Sequence, residues 1–319
     1  MHIRAPIRFD IWLTPGFVLT EYAAITDVLR TTNRCLPEPL FAWRSLSVAG
    51  GPIQCLSDAW VETLPPDPYP EAEYFIAPGN SDPTHPALSI ERVIDTYLSR
   101  QSKVVLLAEA AARHIQARGH HELATHWENR AILQEEIGLD DGPHALATEV
   151  GQVITSAGMG STVDVMLTIV ARHVDPAAVT TVADILLHDV IRDLGTLQPY
   201  GGKRIAVTGD SVLDRCIELM QANVEEPLPI ADLVRLVNVS SRSLERRFRD
   251  RLGTRPAQYY RALRLHRANN LLLNTSLPVN QIALACGFQS GFTSHYHAQF
   301  GLKPMDMRKR KRGGTPGAA

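Results

Sequence analysis

The run Ser240-Ser241-Arg242-Ser243-Leu244-Glu245-Arg246-Arg247-Phe248 decides the fold of the last third of this 319-residue chain. Leu244 and Phe248 stand four residues apart, which is the spacing of a single buried helix face. The arginines and Glu245 then point away from that face. A helix with an apolar seam and an outward row of arginines can read a DNA major groove. An ordinary solvated helix face is the alternative that the pattern leaves open.

A shorter helix is expected immediately before this run. The i, i+3, i+4 spacing of a buried helix face is shared by Leu233, Leu236 and Val237. Asn238 follows, and asparagine tolerates the left-handed backbone conformation that a tight turn needs. Ser240 or Ser241 can then accept hydrogen bonds from the free N–H groups that open the second helix. The order is therefore helix, turn, helix.

About fifty residues later the scheme partly repeats. A second apolar helix face is formed by Val279, Ile282, Ala283 and Cys286. Gly287 supplies a turn and Phe288 fills it. The last helix carries aromatic residues at intervals of four, namely Phe292, Tyr296 and Phe300. A long core-facing helix over Pro256–Asn274 is expected to join the two units.

These motifs resemble the signature of the AraC family of transcription regulators over roughly the last hundred residues. The motifs that carry the resemblance are Ser240–Phe248, Leu252-Gly253-Thr254-Arg255-Pro256, Arg264-Leu265-His266-Arg267-Ala268 and Ile282–Phe288. The resemblance implies two helix-turn-helix units in one all-α domain, docking in successive segments of the major groove. The chain departs from the family after Gly287-Phe288, where the segment leading to Tyr296 is two residues short and a basic residue near Thr293–Ser294 is missing.

Candidate DNA contacts follow from side-chain chemistry and the family register. Arg242 and Arg246 can each bind guanine through O6 and N7, and Glu245 can accept from cytosine N4. Phosphate contacts, which position a protein without specifying sequence, are expected from Ser241 and from Arg247 or Arg249. The candidates in the second unit are Ser290, Thr293, Ser294 and His297.

Charge is divided unevenly along the chain. Residues 231–312 contain 16 Lys+Arg and 4 Asp+Glu, a net charge of +12, whereas the rest of the chain carries −14. A basic module joined to an acidic one fits a polyanion-binding domain attached to a domain that does not bind polyanions. The four cysteines show no close pairing, which favours a reducing cytoplasm, and no signal peptide or membrane span is predicted.

In the first two thirds of the chain, strands alternate with helices. The expected strands are Ile7–Leu13, Trp43–Val48, Tyr74–Ala77, Lys103–Leu107 and Val153–Ser156. The expected helices are Glu21–Asn33, Ile90–Arg100, Ala108–Ala117, Thr162–His173 and Ala177–Leu187. This alternation predicts an α/β domain with a flavodoxin-like, mostly parallel sheet covered by helices on both faces. Ligands of such folds bind beyond the carboxyl ends of the strands.

This part of the chain resembles the PfpI/ThiJ superfamily, which is related to class I glutamine amidotransferases. The resemblance rests on Pro15-Gly16-Phe17, Asp27-Val28-Leu29-Arg30, Gly50-Gly51-Pro52, Ala77-Pro78-Gly79, Thr125-His126-Trp127-Glu128-Asn129 and Ser156-Ala157-Gly158. The order follows the GlxA-like branch, in which this domain precedes an AraC-type DNA-binding domain. Enzymes of the superfamily place a cysteine nucleophile on a sharp strand-to-helix turn. The matching stretch, Val104–Glu109, has no Cys, Ser or Thr, so no catalytic residue is predicted.

An effector pocket is expected around this turn. Its candidate residues are Glu21, Leu106, Leu107, His126, Trp127, Glu128 and Ser156. A tryptophan beside carboxylates suits a cationic ligand through attraction to the ring face, so the hypothetical effector is a small amine or amino-acid derivative. The alternatives are that Trp127 is a core residue and that Glu109, beside the turn, is a capped or solvent-facing carboxylate. The spacing of His114, His120, His121 and His126 matches no standard zinc pattern, and no metal or cofactor is predicted.

The sequence thus predicts a sensor and dimerisation domain over 1–195, a linker over 196–210, a DNA-binding domain over 211–312 and a disordered tail over 313–319. The expected partners are double-stranded DNA, the effector, a second copy of the chain and RNA polymerase, with no membrane. An effector would act by changing how two DNA-binding domains are disposed on paired half-sites. Two alternatives remain: a PfpI-like hydrolase or lyase with a DNA-binding appendage, and a nucleoid or docking protein without sequence preference.

Overall fold

A computed structural model describes residues 5–138, 144–198, 208–274 and 277–313 of the chain. It divides the chain into two compact units, Met1–Gln198 and Pro199–Ala319. Most of the predicted linker and nearly all of the predicted tail, residues 199–207 and 314–319, lie outside the described residues.

The first unit alternates strands and helices. Its strands are β1 (Ile7–Trp12), β2 (Phe41–Leu46), β3 (Gly51–Gln54), β4 (Trp60–Thr63), β5 (Tyr74–Ala77), β6 (Lys103–Leu107), β7 (Ala147–Val150) and β8 (Val153–Ser156). Its helices are α1 (Leu19–Cys35), α2 (Glu91–Ser99), α3 (Ala108–Arg118), α4 (Trp127–Ile137), α5 (Thr162–Val170) and α6 (Pro176–Ile185).

Six strands form one sheet in the order β2-β1-β5-β6-β8-β7. All neighbours run parallel except β7, which is antiparallel to β8 at the edge. Without that edge strand the order is the flavodoxin-like one, in which the connections reverse direction beside β1. The predicted fold class is therefore confirmed, and the carboxyl ends of β1, β5, β6 and β8 share one edge of the sheet.

Both faces of the sheet are buried. Phe9, Ile11, Val105 and Leu107 pack on one face in a core that includes apolar residues of α1, α5 and α6. Phe75, Val104 and Leu106 pack on the other face together with residues of α2 and α3. Burial on both faces explains why these strands read as nearly continuous apolar runs rather than as alternating patterns.

Two features of this unit were not predicted. Gly51 and Pro52, which were considered only as part of a family motif, begin a hairpin in which β3 pairs antiparallel with β4. The antiparallel edge strand β7 was not expected.

The described residues of the second unit form seven helices. They are α7 (Ser211–Ala222), α8 (Ile230–Leu236), α9 (Ser241–Leu252), α10 (Pro256–Asn274), α11 (Val279–Ala285), α12 (Phe292–Phe300) and α13 (Pro304–Gly313). One core cluster joins α7, α8 and α9 and includes Tyr260 of α10. A second cluster joins α11 and α12 around Leu265, Ala268 and Leu272 of the same helix. The long α10 therefore connects two helix-turn-helix units by contributing to both cores.

The turn between α8 and α9 forms as predicted, with one correction. Asn238 has a φ of 53°, the left-handed conformation expected of it. Ser240 is the cap of α9, since its hydroxyl accepts from the N–H of Ser243 at 3.2 Å. Leu236, which was expected on the buried face, is 57% exposed, and the buried face of α8 is centred on Leu233 instead.

Candidate DNA interface and elbow site

Helix α9 separates an apolar face from a charged one. Leu244 and Phe248 are fully buried, and the Phe248 ring meets Tyr259 of α10 edge-on at 5.5 Å between centroids. The residues predicted to contact DNA from this helix, Ser241, Arg242, Glu245, Arg246 and Arg249, are all exposed. The structure thus places this part of the predicted interface on a single solvent-facing surface.

An open groove of about 490 Å³ runs along this surface, lined by Ser240, Arg242, Ser243, Glu245, Arg246 and Arg249. Arginine presents planar, paired donors that match the O6 and N7 acceptors of guanine, and a carboxylate can accept from cytosine N4. The candidate residues on α9 therefore have both the exposure and the chemistry that direct readout of bases requires.

Several other cations of the second unit have internal partners. Arg247, one of the two residues expected to contact phosphate, forms an ion pair with Asp210, the residue that caps α7, so Arg249 is the better candidate of the two. The guanidinium carbon of Arg264 lies 4.4 Å from the centroid of the Phe288 ring, and its Nη1 donates to the carbonyl of Gly287 at 2.9 Å. Arg308 donates to carbonyls at the end of α10 and beyond it. Part of the +12 charge is therefore structural.

The second helix-turn-helix unit is built differently. Gly287 has a φ of 71° in the turn after α11, and a Cβ there would lie 2.5 Å from Pro227 Cγ. Helix α12 spans nine residues where α9 spans twelve. Its cap position is held by Gly291, with a φ of 70° and no side-chain hydrogen bond. The predicted contacts Ser290, Thr293, Ser294 and His297 are exposed, so all four are accessible.

In the first unit, the sharp turn from β6 into α3 keeps the form of a nucleophile elbow. Ala108 stands at the turn with a φ of 42°, a strained backbone conformation for a residue with a Cβ. Its side chain is buried beneath two glycines: a Cβ added to Gly79 would lie 3.0 Å from Ala108 Cβ, and one added to Gly158 would lie 2.7 Å away. The elbow therefore carries a methyl group where a nucleophile would stand.

Glu21 lies beside this elbow and is fully buried. One carboxylate oxygen accepts from the N–H of Gly79 at 2.7 Å, and the other accepts from the N–H of Met159 at 2.8 Å. Burial raises the pKa of Glu21 to about 7, despite these two donors. Glu21 thus ties the turn after β5 to the turn after β8 and can change its protonation state near neutrality.

A second carboxylate, Glu109, extends the site. It is partly buried and accepts from the N–H of Asn80 at 3.2 Å and from Nδ2 of Asn129 at 3.4 Å. Burial also raises the pKa of Glu109. The carboxylate is thus capped by backbone N–H groups, as one of the expected alternatives had it. It also faces the same glycine turn as the elbow, because a Cβ on Gly79 would collide with it.

The histidine-tryptophan motif begins α4 close to these groups. His126 caps the helix, accepting from the N–H of Glu128, and burial lowers its pKa to about 4. The rings of His126 and Trp127 lie 5.4 Å apart, and Trp127 and Glu128 are partly exposed. The negative charge of Glu128 contributes to the raised pKa of Glu109, and that of Glu109 to the raised pKa of Glu21. The structure therefore brings the predicted carboxylates into one electrostatically linked group.

Three of the predicted pocket residues are interior. Leu106 and Leu107 are 0% and 1% exposed, and they pack on opposite faces of the sheet. Ser156 is also fully buried; its hydroxyl donates to the carbonyl of Leu146 and accepts from the N–H of Gly158. These three residues lie beneath the elbow and are closed off from solvent.

Sequence reasoning missed three polar residues at the site. Asn80 and Asn129 hold Glu109, and the amide of Asn80 also donates to the carbonyl of Pro15 at 2.7 Å. Gln198 accepts from the N–H of Trp127 at 2.9 Å and donates to the carbonyls of Thr125 and Ala145. The motif stretches contain or adjoin both asparagines, which was a usable signal, whereas nothing local pointed to Gln198.

Among the described residues, no group of three or more His, Cys, Asp or Glu side chains is arranged to hold a metal ion. None of the helices in the described ranges is both long and apolar enough to cross a bilayer.

Comparison with known proteins covers both units. A helix-turn-helix domain family model matches residues 233–310. The chain is 28% identical to the transcriptional regulator GbdR of Pseudomonas aeruginosa, covering 98% of this chain and 87% of GbdR. It is 26% identical to the regulator GlxA of Rhizobium meliloti, covering 95% of this chain and 96% of GlxA.

A solved structure matches the α/β unit. The crystal structure of an AraC family transcriptional regulator from Pseudomonas putida superposes with a TM-score of 0.50 at 20% identity, over 57% of this chain and all of that chain. At this identity the match concerns the fold alone. The helix-turn-helix match and the full-length relatives lead to one conclusion: the chain is an AraC-type DNA-binding transcription regulator, with its α/β unit ahead of the helix-turn-helix domain.

Proposed function

We propose that this regulator recognises specific operator sequences through α9. Arg242 and Arg246 bind guanine edges, Glu245 selects cytosine, and Ser241 and Arg249 hold the phosphate backbone. The observation that carries this proposal is the division of α9, whose seam of Leu244 and Phe248 is buried while its charged row is exposed along a groove. Ser290, Thr293, Ser294 and His297 of the second helix-turn-helix unit are the further candidates for DNA contact, and all four are exposed.

Replacing Arg246 tests the assignment directly. Arg246→Ala is expected to cost about 1–3 kcal/mol on the operator and to relax the preference at one base pair, with little loss on random duplex. Arg249→Ala is the matched control, because a phosphate contact is lost equally on both DNAs. Equilibrium binding to an operator defined by footprinting and to a scrambled duplex measures both. An equal loss for Arg246→Ala on the two duplexes would identify it as a phosphate contact instead.

We further propose that the α/β unit binds a small nitrogenous effector at the elbow and does not turn it over. Burial raises the pKa of Glu21 and of Glu109, with smaller contributions from Glu109 on Glu21 and from Glu128 on Glu109, so a cation placed beside these carboxyl groups would favour their charged forms. The partly exposed Trp127 offers a ring face that attracts quaternary or protonated amines. The methyl group of Ala108 supplies no nucleophile at the elbow, which supports binding rather than catalysis.

Calorimetric titration of the full chain with quaternary amines and amino-acid derivatives tests this site. Binding is expected for a cationic compound and is expected to be lost for its neutral isostere, in which carbon replaces the charged nitrogen. Trp127→Leu should weaken binding, whereas substitution of the exposed Trp60, which lies on β4, should not. Absence of heat for every cationic compound, or equal binding of the neutral isostere, would contradict the proposal.

The remaining assignments follow the same scheme. We propose that residues 1–195 sense the effector and mediate homodimerisation, that 196–210 link, and that 211–312 bind DNA in the cytoplasm. Effector binding would shift the population of dimers toward those that fit paired half-sites and so control access of RNA polymerase. Size-exclusion chromatography with light scattering, with and without operator, tests the dimer.

A further inference from the structure

The two helix-turn-helix units carry very different charge. Helix α9 exposes Arg242, Glu245, Arg246 and Arg249, whereas residues 277–302, which include α11 and α12, contain no Lys, Arg, Asp or Glu at all. A protein gains most of its DNA affinity by replacing counterions around phosphates with its own cations. The second helix-turn-helix unit therefore lacks the cations that would strengthen duplex binding in the first helix-turn-helix unit.

The second helix-turn-helix unit also lacks the part of a recognition helix that enters a groove. In helix-turn-helix proteins the amino-terminal residues of the second helix contact base edges. Helix α12 is three residues shorter than α9, which is about 4.5 Å of helix. It begins directly at Phe292, whose side chain is buried against Phe288 with the ring centroids 5.4 Å apart. Its first residue is thus committed to the core, and its cap is a glycine without a side chain to offer.

An open groove occupies the space in front of this shortened helix. Its volume is about 420 Å³, and its lining includes Val279, Leu284, Phe288 and Phe292. Leu284 on α11 is 59% exposed. The other lining residues include uncharged polar ones, namely Asn280, Gln289, Ser290, Thr293 and Ser294, and none of the lining residues is Lys or Arg. Phosphates brought against this groove would therefore lose hydration without gaining a compensating cation.

We propose that each protomer reads a single segment of the major groove, through α9, and that the α11–α12 unit contributes no base readout. This inference rests on the proposed DNA-binding function. The second helix-turn-helix unit acts as a structural support, because its core packs against Leu265, Ala268 and Leu272 of α10. Arg264 joins α10 to the Gly287 turn. The operator should therefore contain one block of specified base pairs for each protomer. Two recognition helices per protomer would instead specify two successive blocks.

The test varies the DNA first, because DNA changes carry no risk of misfolding. An operator defined by footprinting with the full-length protein is scrambled either in the block assigned to α9 by the Arg246→Ala result or in the block about 10 bp away. Scrambling the α9 block should weaken binding by at least about tenfold, as one or two mismatches would. Scrambling the neighbouring block should leave Kd within about twofold. A tenfold loss from the neighbouring block would overturn the inference.

A protein variant supplies the second arm. The exposed side chains of α12 are removed together by Thr293→Ala, Ser294→Ala and His297→Ala, and the matched control is Arg242→Ala with Arg246→Ala on α9. Selection from random duplexes should return the wild-type base preferences for the α12 variant. For the α9 variant, the base preferences in the block read by α9 should be weakened. Loss of a second block in the α12 variant would refute single-segment reading. If the wild-type protein selected no sequence at all, the proposed function itself would fail.

Discussion

Glu21 shows how strongly a single buried side chain can depend on its surroundings. Two backbone N–H groups donate to its carboxylate, an arrangement that favours the charged form. Burial nevertheless outweighs them and raises the pKa from 4.5 to about 7. In the unfolded chain the carboxyl ionises near its ordinary pKa, so its contribution to stability is present below about pH 4.5 and is lost as pH rises through about 7.

Replacing Glu21 with glutamine should therefore change the pH dependence of stability. A difference of 2.5 pKa units corresponds to about 3 kcal/mol. The free energy of unfolding of the wild type, measured relative to Glu21→Gln, should fall by that order between pH 4.5 and pH 8. Urea denaturation of the full chain at a series of pH values, followed by tryptophan fluorescence, gives the comparison.

Glu38→Gln is the control for this experiment, since Glu38 is exposed. Its unfolding free energy should run parallel to that of the wild type over the whole range. A wild-type curve that also stays parallel to the Glu21→Gln curve would show that Glu21 has the same pKa in the folded and the unfolded chain, in conflict with its burial.

At the scale of elements, the elbow depends on three turns that meet. The ends of β5, β6 and β8 bring Gly79, Ala108 and Gly158 into contact, and Glu21 binds the backbone of two of these turns. A side chain at position 158 would press on both Ala108 and Glu21. Gly158 also has a φ of 73°, which a residue with a Cβ adopts only under strain.

Gly158→Ala is accordingly expected to destabilise the α/β unit by about 2–4 kcal/mol, from overpacking and backbone strain together. Gly160→Ala, two residues away, is the matched control, because a Cβ there meets nothing within 4 Å; its effect should stay within about 0.5 kcal/mol. Chemical denaturation of both variants measures the difference. Similar stability of the two variants would mean that the turns can separate without cost.

Helix α13 carries a buried, hydrogen-bonded arginine and an exposed arginine only two residues apart, so their contributions to stability can be compared directly. Arg308 is buried and donates to the carbonyls of Leu272 at 3.1 Å and Leu277 at 2.7 Å, while Arg310 is exposed. Arg308→Ala should lower the stability of the DNA-binding unit by about 1.5–3 kcal/mol, and Arg310→Ala by less than about 0.5 kcal/mol. Thermal unfolding of the two variants decides, and equal shifts would contradict this assignment of Arg308.

Elements differed in how far the sequence could predict them. Strands β5, β6 and β8 were predicted to the residue, because buried apolar runs end at well-defined turns such as Pro78-Gly79. The β3–β4 hairpin was missed because Gly51 and Pro52 are poor strand formers, and their pairing partners lie about ten residues away. Cross-strand pairing is a tertiary effect that local propensity does not contain.

The candidate sites follow the same division. The charged face of α9 was predictable because helical periodicity alone places it opposite Leu244 and Phe248. The partner of Arg247 was not, since Asp210 is 37 residues distant in sequence. At the elbow, family resemblance pointed to Glu21. The role of Glu109 depends on how separate turns converge, which no local pattern records.

At the scale of the whole molecule, an acidic α/β unit and a basic helix-turn-helix domain share one chain. If effector and operator both act on the same population of conformations, their effects must be reciprocal. We expect an effector that changes operator affinity by a factor in the range of about 5–150 to have its own affinity changed by the same factor when operator is present. Titrations of each ligand with and without the other measure the two factors.

The control for this prediction is Trp127→Leu, whose operator affinity should no longer respond to the effector. Unequal factors would indicate that a third equilibrium, such as dimerisation, intervenes between the two sites. An effector that binds while operator affinity changes by less than about twofold would show that the proposed sensor is not coupled to DNA.

The methyl group at Ala108 has a consequence for how long a signal lasts. If the α/β unit binds an effector as proposed, an elbow with no attacking group would release that molecule chemically unchanged. The response then ends only when the molecule dissociates or when other proteins remove it from the cell. The duration of the response would therefore be set by the residence time of the effector on the protein and by its removal through metabolism elsewhere, and not by turnover in the regulator itself.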